Sequence, residues 1–350
     1  MQKKWFKWLI IFVCQLVVWK LILQSSAFIH FWFNYPYSLY NSAINLITSK
    51  IDVPLGEIFY TMIFLSLLII AFKCVTSRSL NYSFQLIFKT LSILTFVYQG
   101  LWGFLYYKEN FTLEEQHIQQ KVLKEIYCEA LKIALENRKQ INSGFMPKPF
   151  QLTNDEVLSE FKDIQYQLVN EDWIGNYRFI THVNAKDSYA SLLLSYFGVL
   201  GYYNPFTIES NLNSNNSDLK RSFTIHHELA HQMGFSSENE ANFIAYFLGC
   251  KSKYKEVVYA TNYKLMFSIL NALQLTDPKF VLHELENLHI EIKNDRKAEI
   301  NYYAQFEGRT NDAFTELNNQ FLKANNQDGT ISYSKYIDLV YYYKTKKANR

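Results

Sequence analysis

The chain has 350 residues, 35 Lys/Arg against 32 Asp/Glu and a net charge of +3. That length can bury a sizeable core, and the near-balance of charge excludes the strongly basic surface of a nucleic-acid-binding protein. The charge is unevenly spread: residues 1–107 hold eight Lys/Arg and two Asp/Glu, and the remainder holds 27 and 30.

The first part is also the apolar part. Three segments, about 5–23, 58–75 and 90–107, approach the length of roughly 20 residues that spans a bilayer, with charges confined to their ends. Trp5, Trp8, Trp19, Trp32 and Trp102 fall in this part, as expected of aromatic belts at a lipid interface. A membrane anchor over 1–107 in contact with a lipid bilayer is expected. Lys3, Lys4 and Lys7 precede the first segment and Lys73, Arg78 and Lys89 lie between the second and third. Basic residues favour the cytoplasm, so residues 108–350 are expected on the extracytoplasmic side of the cell membrane. The short apolar core from Trp8 to Trp19 also fits a signal peptide, and its removal would leave the later part on the same side.

Beyond residue 107, Thr112-x-x-Glu115 reads as a capping box before a long helix, about Leu113 to Ile141. Gly144, Pro147 and Pro149 close it. Asp155 to Leu168 reads as a second helix and Tyr177 to Val183, by alternation, as a strand. Tyr202 to Leu212 reads as extended and Asn211 to Asp218 as a loop. Helices are expected over about Val257–Leu275, Lys279–Ile290 and Ala298–Phe306, and a turn at Asn325–Gly329. Cys128 and Cys250 could pair in an oxidising compartment or remain free thiols.

The chemistry is concentrated in Thr224-Ile225-His226-His227-Glu228-Leu229-Ala230-His231-Gln232-Met233-Gly234. On a helix, His227 and His231 stand four apart on one face, a spacing that can hold a single Zn²⁺. Glu228 adjoins the first imidazole, where a carboxylate can take a proton from an activated water. His226 lacks that register and reads as a supporting or surface residue. Gly234 suits a left-handed helix end. Ser237 stands where a third histidine would follow in one class of such sites, so a glutamate from the next helix is the alternative. Glu240 is the expected third ligand and Glu238 its fallback. Ser237-x-x-Glu240 also fits a capping box, in which Glu240 would serve only the helix start. Asn242 could orient a ligating histidine. Candidate donors to a developing oxyanion are His283, His289, Tyr302, Tyr303 and Tyr333, with Tyr303 preferred.

The run from His227 to Tyr246 resembles the glutamate-type zincins (gluzincins). Gly201-Tyr202-Tyr203-Asn204-Pro205-Phe206-Thr207, the His227–Gln232 run and Glu240-Ala241-Asn242-Phe243 resemble more closely a bacterial family of unknown function with three N-terminal membrane helices and a zincin-like domain. The resemblance implies an α+β fold, predominantly α, in which the membrane helices precede a zincin-like domain with a small sheet. It implies a zinc peptidase acting on a peptide or protein substrate, with the Tyr203–Asn211 region as the strand that pairs with substrate; an internal strand is the alternative. The family pattern has Gly before the Glu that follows Asn-Pro-Phe-Thr. Here Ile208 precedes Glu209, and the local turn departs from it. Two other functions remain compatible with these residues: an inactive zincin-fold scaffold, and a zinc amidase acting on cell-envelope material.

Overall fold

A computed structural model describes residues 4–77, 79–112, 117–141 and 152–348. The chain divides into two compact units, one formed by 1–109 with 204–209, the other by 110–203 with 210–350.

The first unit contains α1 (Lys4–Ile22), α2 (Ser26–Trp32), α3 (Ser38–Thr48), α4 (Leu55–Thr76) and α5 (Leu80–Leu101). Helices α1, α4 and α5 are long and apolar enough to cross a membrane, and large side chains such as Phe64, Phe72, Leu80 and Phe96 face outward from the protein. Helices α1 and α4 match the expected segments to within three residues, whereas α5 begins ten residues before Thr90 and ends six before Tyr107. Helices α2 and α3 were not expected from the sequence. They are joined by one π-helical turn, Phe33–Tyr37, containing Pro36, whose missing N–H accounts for the widened ladder. Polar side chains fasten α1 to α5: Gln15 donates to Ser92 O at 3.2 Å and to Thr95 Oγ1 at 3.1 Å. Trp32 Nε1 donates to Gly100 O at 2.7 Å.

The segment 204–209 completes this unit. Tyr40 donates to Phe206 O at 2.6 Å, and the Phe59 and Phe206 rings lie 4.9 Å apart. The fully buried Glu209 accepts from Leu55 N at 3.2 Å and Gly56 N at 2.6 Å. Those two N–H groups open α4 and have no partner within the helix, so a carboxylate there satisfies them and complements the helix dipole. Ile208 adopts φ +54°, the left-handed region that glycine enters without penalty. The turn therefore keeps the shape that a glycine would suit, with a buried isoleucine at that place.

The second unit is predominantly helical, with α6 (Gln120–Arg138), α7 (Asn154–Ile164), α8 (Ser191–Tyr196), α9 (Asp218–Gln232), α10 (Glu238–Gly249), α11 (Lys255–Leu273), α12 (Pro278–Asn287), α13 (Ile290–Ala304), α14 (Arg309–Ala324) and α15 (Tyr336–Ala348). A small sheet has the order β1 (Ala185–Asp187), β3 (Glu209–Leu212), β2 (Gly201–Asn204), with β1 parallel to β3 and Ala185 opposite Ser210.

Several boundaries differ from the sequence reading. Helix α6 starts at Gln120, because Gln119 is extended. Glu115 of the expected capping box, and Gly144, Pro147 and Pro149, lie outside the described residues. Tyr177–Val183 is not a strand. Its backbone is satisfied elsewhere: Arg178 N donates to Met233 O at 3.0 Å and Ile180 N to Gln165 Oε1 at 2.8 Å. The strand forms instead at Ala185–Asp187. Cys128 and Cys250 are both free thiols.

The core lies where α9, α10 and α11 meet. Leu229 and Ala230 of α9, Ile244 and Leu248 of α10, and Ala260, Met266 and Ile269 of α11 are fully buried. Small residues on α9 and α10 let the two backbones approach closely. Trp173 anchors an aromatic cluster, its ring 5.2–5.6 Å from those of Phe111, Phe243, Phe247 and Tyr343. A buried ion pair ties α6 to α13: Arg138 Nε and Nη2 donate to Asp295 at 2.6 and 3.2 Å, and Tyr259 of α11 donates to the same carboxylate at 2.7 Å.

Candidate metal centre

Helix α9 supplies two imidazoles from one face. His227 Nε2 and His231 Nε2 lie 3.2 Å apart, and Oε2 of Glu238 lies 3.1 Å from the first and 3.6 Å from the second. Among the described residues this is the group of three whose ligand atoms converge closely enough for one ion. Zinc with tetrahedral bonds of about 2.0–2.1 Å keeps neighbouring donors roughly 3.3 Å apart, so the spacing fits.

The local chain path explains the convergence. Gly234, at φ +99°, ends α9. Phe235 N donates to Ala230 O at 3.2 Å and Gly234 N to His231 O at 3.0 Å, the paired bonds of a Schellman ending. This reversal returns the Phe235 carbonyl to His231 Nδ1, 2.6 Å away. A carbonyl can only accept, so Nδ1 carries a proton and Nε2 is the nitrogen that faces the centre, with a lone pair for a metal whenever the ring is neutral. Helix α10 then starts at Glu238, whose N–H donates to Gln327 Oε1 at 3.0 Å. Its carboxylate reaches the imidazoles from the first residue of that helix.

Glu240, the expected third ligand, is not in this group. It accepts from Asn110 Nδ2 at 2.6 Å. The correction is one of helical phase: two residues turn a helix by about 200°, so side chains at 238 and 240 leave it on opposite faces. Ser237 makes no side-chain cap, so the alternative capping box is not formed either. Asn242 lies one turn from Glu238 and donates to the Tyr333 carbonyl at 2.9 Å instead of to a histidine.

Glu228 is 3% exposed and its Oε2 has no hydrogen-bond partner among the described residues. Ser210 of β3 donates to its backbone carbonyl at 3.1 Å. Gly201 of β2 lies so close that a Cβ there would sit 3.0 Å from Glu228 Oε1. Tyr203 of the same strand stacks on His231, ring centroids 6.5 Å apart. The strand order puts β2 at the sheet edge and β3 inside it, which divides the expected substrate strand: only its first half is an edge.

Burial pushes the Glu228 carboxyl up to about 8, with the nearby Glu238 charge adding to the shift and His231 opposing it. Burial also draws His227 below its ordinary value. At His231 the carboxylate of Glu238 outweighs burial and pushes the imidazole up to about 9. Burial opposes ionisation of Glu238, yet the two imidazoles hold it well below the usual carboxylate range.

The other candidates fall in different places. Tyr303 accepts from Ser217 N at 3.0 Å and caps the start of α9, at the opposite end from His231. Tyr302 donates to Asn215 O at 2.6 Å. His283 and His289 pair with Glu284 and Glu291. Tyr333 is the candidate whose phenol feels the cluster: it is raised well above the ordinary value, by burial and by the charges of Glu238 and Glu228, while Asn318 donates to its hydroxyl at 3.4 Å. His226 points into the core, where Nδ1 donates to Ser222 O at 2.8 Å and the ring meets Phe161 edge-on.

The fold and this cluster define a predominantly helical protein with three membrane-length apolar helices and a buried two-histidine, one-carboxylate site. A family model matches residues 32–341, and the chain belongs to that family, described as a protein of unknown function (DUF3810). No curated protein and no solved structure matches the chain.

Proposed function

We propose that this protein is a membrane-anchored zinc metallopeptidase of zincin-like, gluzincin type, with His227, His231 and Glu238 as ligands and Glu228 as general base. The observation that carries the reading is the convergence of two imidazole nitrogens and a carboxylate oxygen at 3.1–3.6 Å beside a buried carboxylate oxygen with no partner. Protons on the imidazoles can reach the Glu238 carboxylate, but a divalent cation takes an electron pair from all three groups at once. When bound, zinc would supply Lewis acidity to a water and to the scissile carbonyl.

The chain's own residues do the rest. Glu228 takes a proton from the water whose oxygen attacks the carbonyl carbon. As the C–N bond breaks, Glu228 gives that proton to the leaving amine. Tyr333, held in place through Asn242, stays protonated and donates to the oxygen that gains charge. Strand β2 offers an edge to which extended substrate can add by backbone hydrogen bonds. The excess of basic residues before the first apolar helix and between the second and third supports an extracytoplasmic side for the second unit.

A second reading has its own support. His231 Nε2 lies 3.6 Å from Glu238 Oε2, and the carboxylate favours the charged imidazole, so the two groups can satisfy each other without a metal, as in an inactive scaffold. Zinc content of the purified full-length protein separates the two. The peptidase reading expects about one zinc per chain in wild type and in Glu240→Ala, and a sharp loss in Glu238→Ala and His231→Ala. Peptide hydrolysis should vanish in Glu228→Gln. Wild type without zinc would leave the scaffold, and hydrolysis of envelope amides but no peptide would move the activity to an amidase.

A further inference from the structure

One turn before His227 on the same face of α9 lies Phe223, and one turn before that lies Lys220. Lys264 of α11 crosses this face with its ammonium over the Phe223 ring, 4.6 Å from the centroid. Lys220 sits over the Tyr303 ring at 3.8 Å and 3.4 Å from Glu299. Arg296 pairs with Glu299 at 2.8 Å, and Tyr263 donates to it at 2.7 Å. Two cations and a phenol thus share one carboxylate: Glu299 is spent on Lys220, Arg296 and Tyr263. The Lys264 ammonium has no hydrogen-bond acceptor among the described residues. It feels the charges of Lys220, Glu299 and Glu238, and His227 feels it in turn. Burial, reinforced by Lys220, draws it down to about 8, a value at which it is still mainly charged at neutral pH.

An ammonium that has no acceptor among the described residues and still meets solvent is open to pair with an incoming anion by a charge-assisted hydrogen bond. We propose, building on the peptidase reading, that Lys264, with Lys220 behind it, binds the free C-terminal carboxylate of the peptide substrate. Four residues, about 6 Å of helix rise, separate Phe223 from His227 along α9. An extended residue spans roughly 3.3–3.6 Å. The carboxylate therefore lies one or two residues beyond the bond that is cut, and the protein releases a single amino acid or a dipeptide from the C-terminal end. Glu299 keeps Lys220 and Arg296 in place and so leaves Lys264 as the group that meets the ligand.

The test uses full-length, zinc-loaded protein and pairs of peptides differing only in a free or amidated C-terminus, with products read by mass spectrometry. The acid should exceed the amide in kcat/KM by roughly ten- to hundredfold, the size of one charge-assisted hydrogen bond. In Lys264→Met the acid-to-amide ratio should fall to about one through KM, and Lys264→Arg should restore part of it. Zinc content of both variants reports an intact site. Equal cleavage of acids and amides, or cuts scattered along the peptide, would overturn the carboxylate site and leave the peptidase standing. No cleavage of any peptide by zinc-loaded wild type would remove both.

Discussion

At the residue scale, glycines and one glutamate shape the site. Gly201 has no room for a methyl group: its Cβ would meet Glu228 Oε1 and Thr224 Cγ2 at 3.0 Å and Asn211 O at 3.1 Å. Gly201→Ala should therefore displace Glu228 while leaving the imidazoles alone, so zinc content is kept and hydrolysis falls about tenfold or more, as when a catalytic base moves by a fraction of an ångström. A drop in zinc alongside activity would show that the whole α9 end had shifted. Gly234 has the opposite signature. At φ +99° an alanine costs about 1–2 kcal/mol and loosens the carbonyl that holds His231 Nδ1. Gly234→Ala should lower both the thermal midpoint and zinc retention against a chelator. The third member of the cluster shows where sequence reasoning ran out. Glu238 and Glu240 both follow Ser237 at the start of an expected helix, and the motif cannot say which face each takes. That phase is set by the Gly234 reversal and by Gln327, which lies 89 positions from Glu238 in the chain and fixes its N–H. The two histidines and Glu228, by contrast, were legible because their relation is internal to one helix.

At the element scale, legibility follows how locally an element is stabilised. The first two apolar helices and α9 to α12 could be placed within a few residues, because each carries its own period or its own stop signal, such as Asp277-Pro278, whereas α5 was set ten residues too late. Strands β2 and β3 fall in the stretch Tyr202–Leu212 that reads as extended, but their division by a turn and the existence of β1 could not be read. β1 is three residues long and exists only because β3 lies beside it, while the alternating Tyr177–Val183 finds its partners in Gln165 and Met233. Helix α3 was missed because its buried positions are Asn41, Asn45 and Thr48, which give no apolar stripe. The packing of α6, α11 and α13 rests on a polar contact that no periodicity reveals. Asp295 is 1% exposed and accepts from Arg138 and Tyr259 together. Removing one member of a buried pair leaves the other charge uncompensated, at a cost of about 3–5 kcal/mol. Asp295→Ala should lower the denaturation midpoint accordingly, whereas the double change with Arg138→Met should recover much of the loss. A single variant as stable as wild type would mean that Arg138 finds another anion or water.

At the scale of the whole chain, the connection between β2 and β3 belongs to the membrane-helix unit although the strands around it belong to the other. Sequence reading placed a simple boundary near residue 107, and nothing in Asn204–Glu209 marks it as part of the first unit, since its partners Tyr40, Gly56 and Phe59 lie some 150 positions earlier. The consequence is physical. In a protein cut to residues 110–350, Phe206 loses the Phe59 ring and the tyrosine donor, and Glu209 loses both N–H groups of α4. A buried carboxylate that loses such charge-assisted bonds costs about 1.5–3 kcal/mol per bond. The truncated chain should be less stable than the same region in the full protein, with faster hydrogen exchange spreading from 204–209 into β2 and β3. Because Gly201 and Tyr203 of β2 adjoin Glu228 and His231, zinc should also leave it faster. Glu209→Ala in the full chain isolates the same effect without truncation: it should loosen 204–209 in exchange and speed zinc loss in proportion. If exchange in 204–209 is the same in the full and cut chains, the segment is held by the second unit alone, and the site's architecture is independent of the membrane helices.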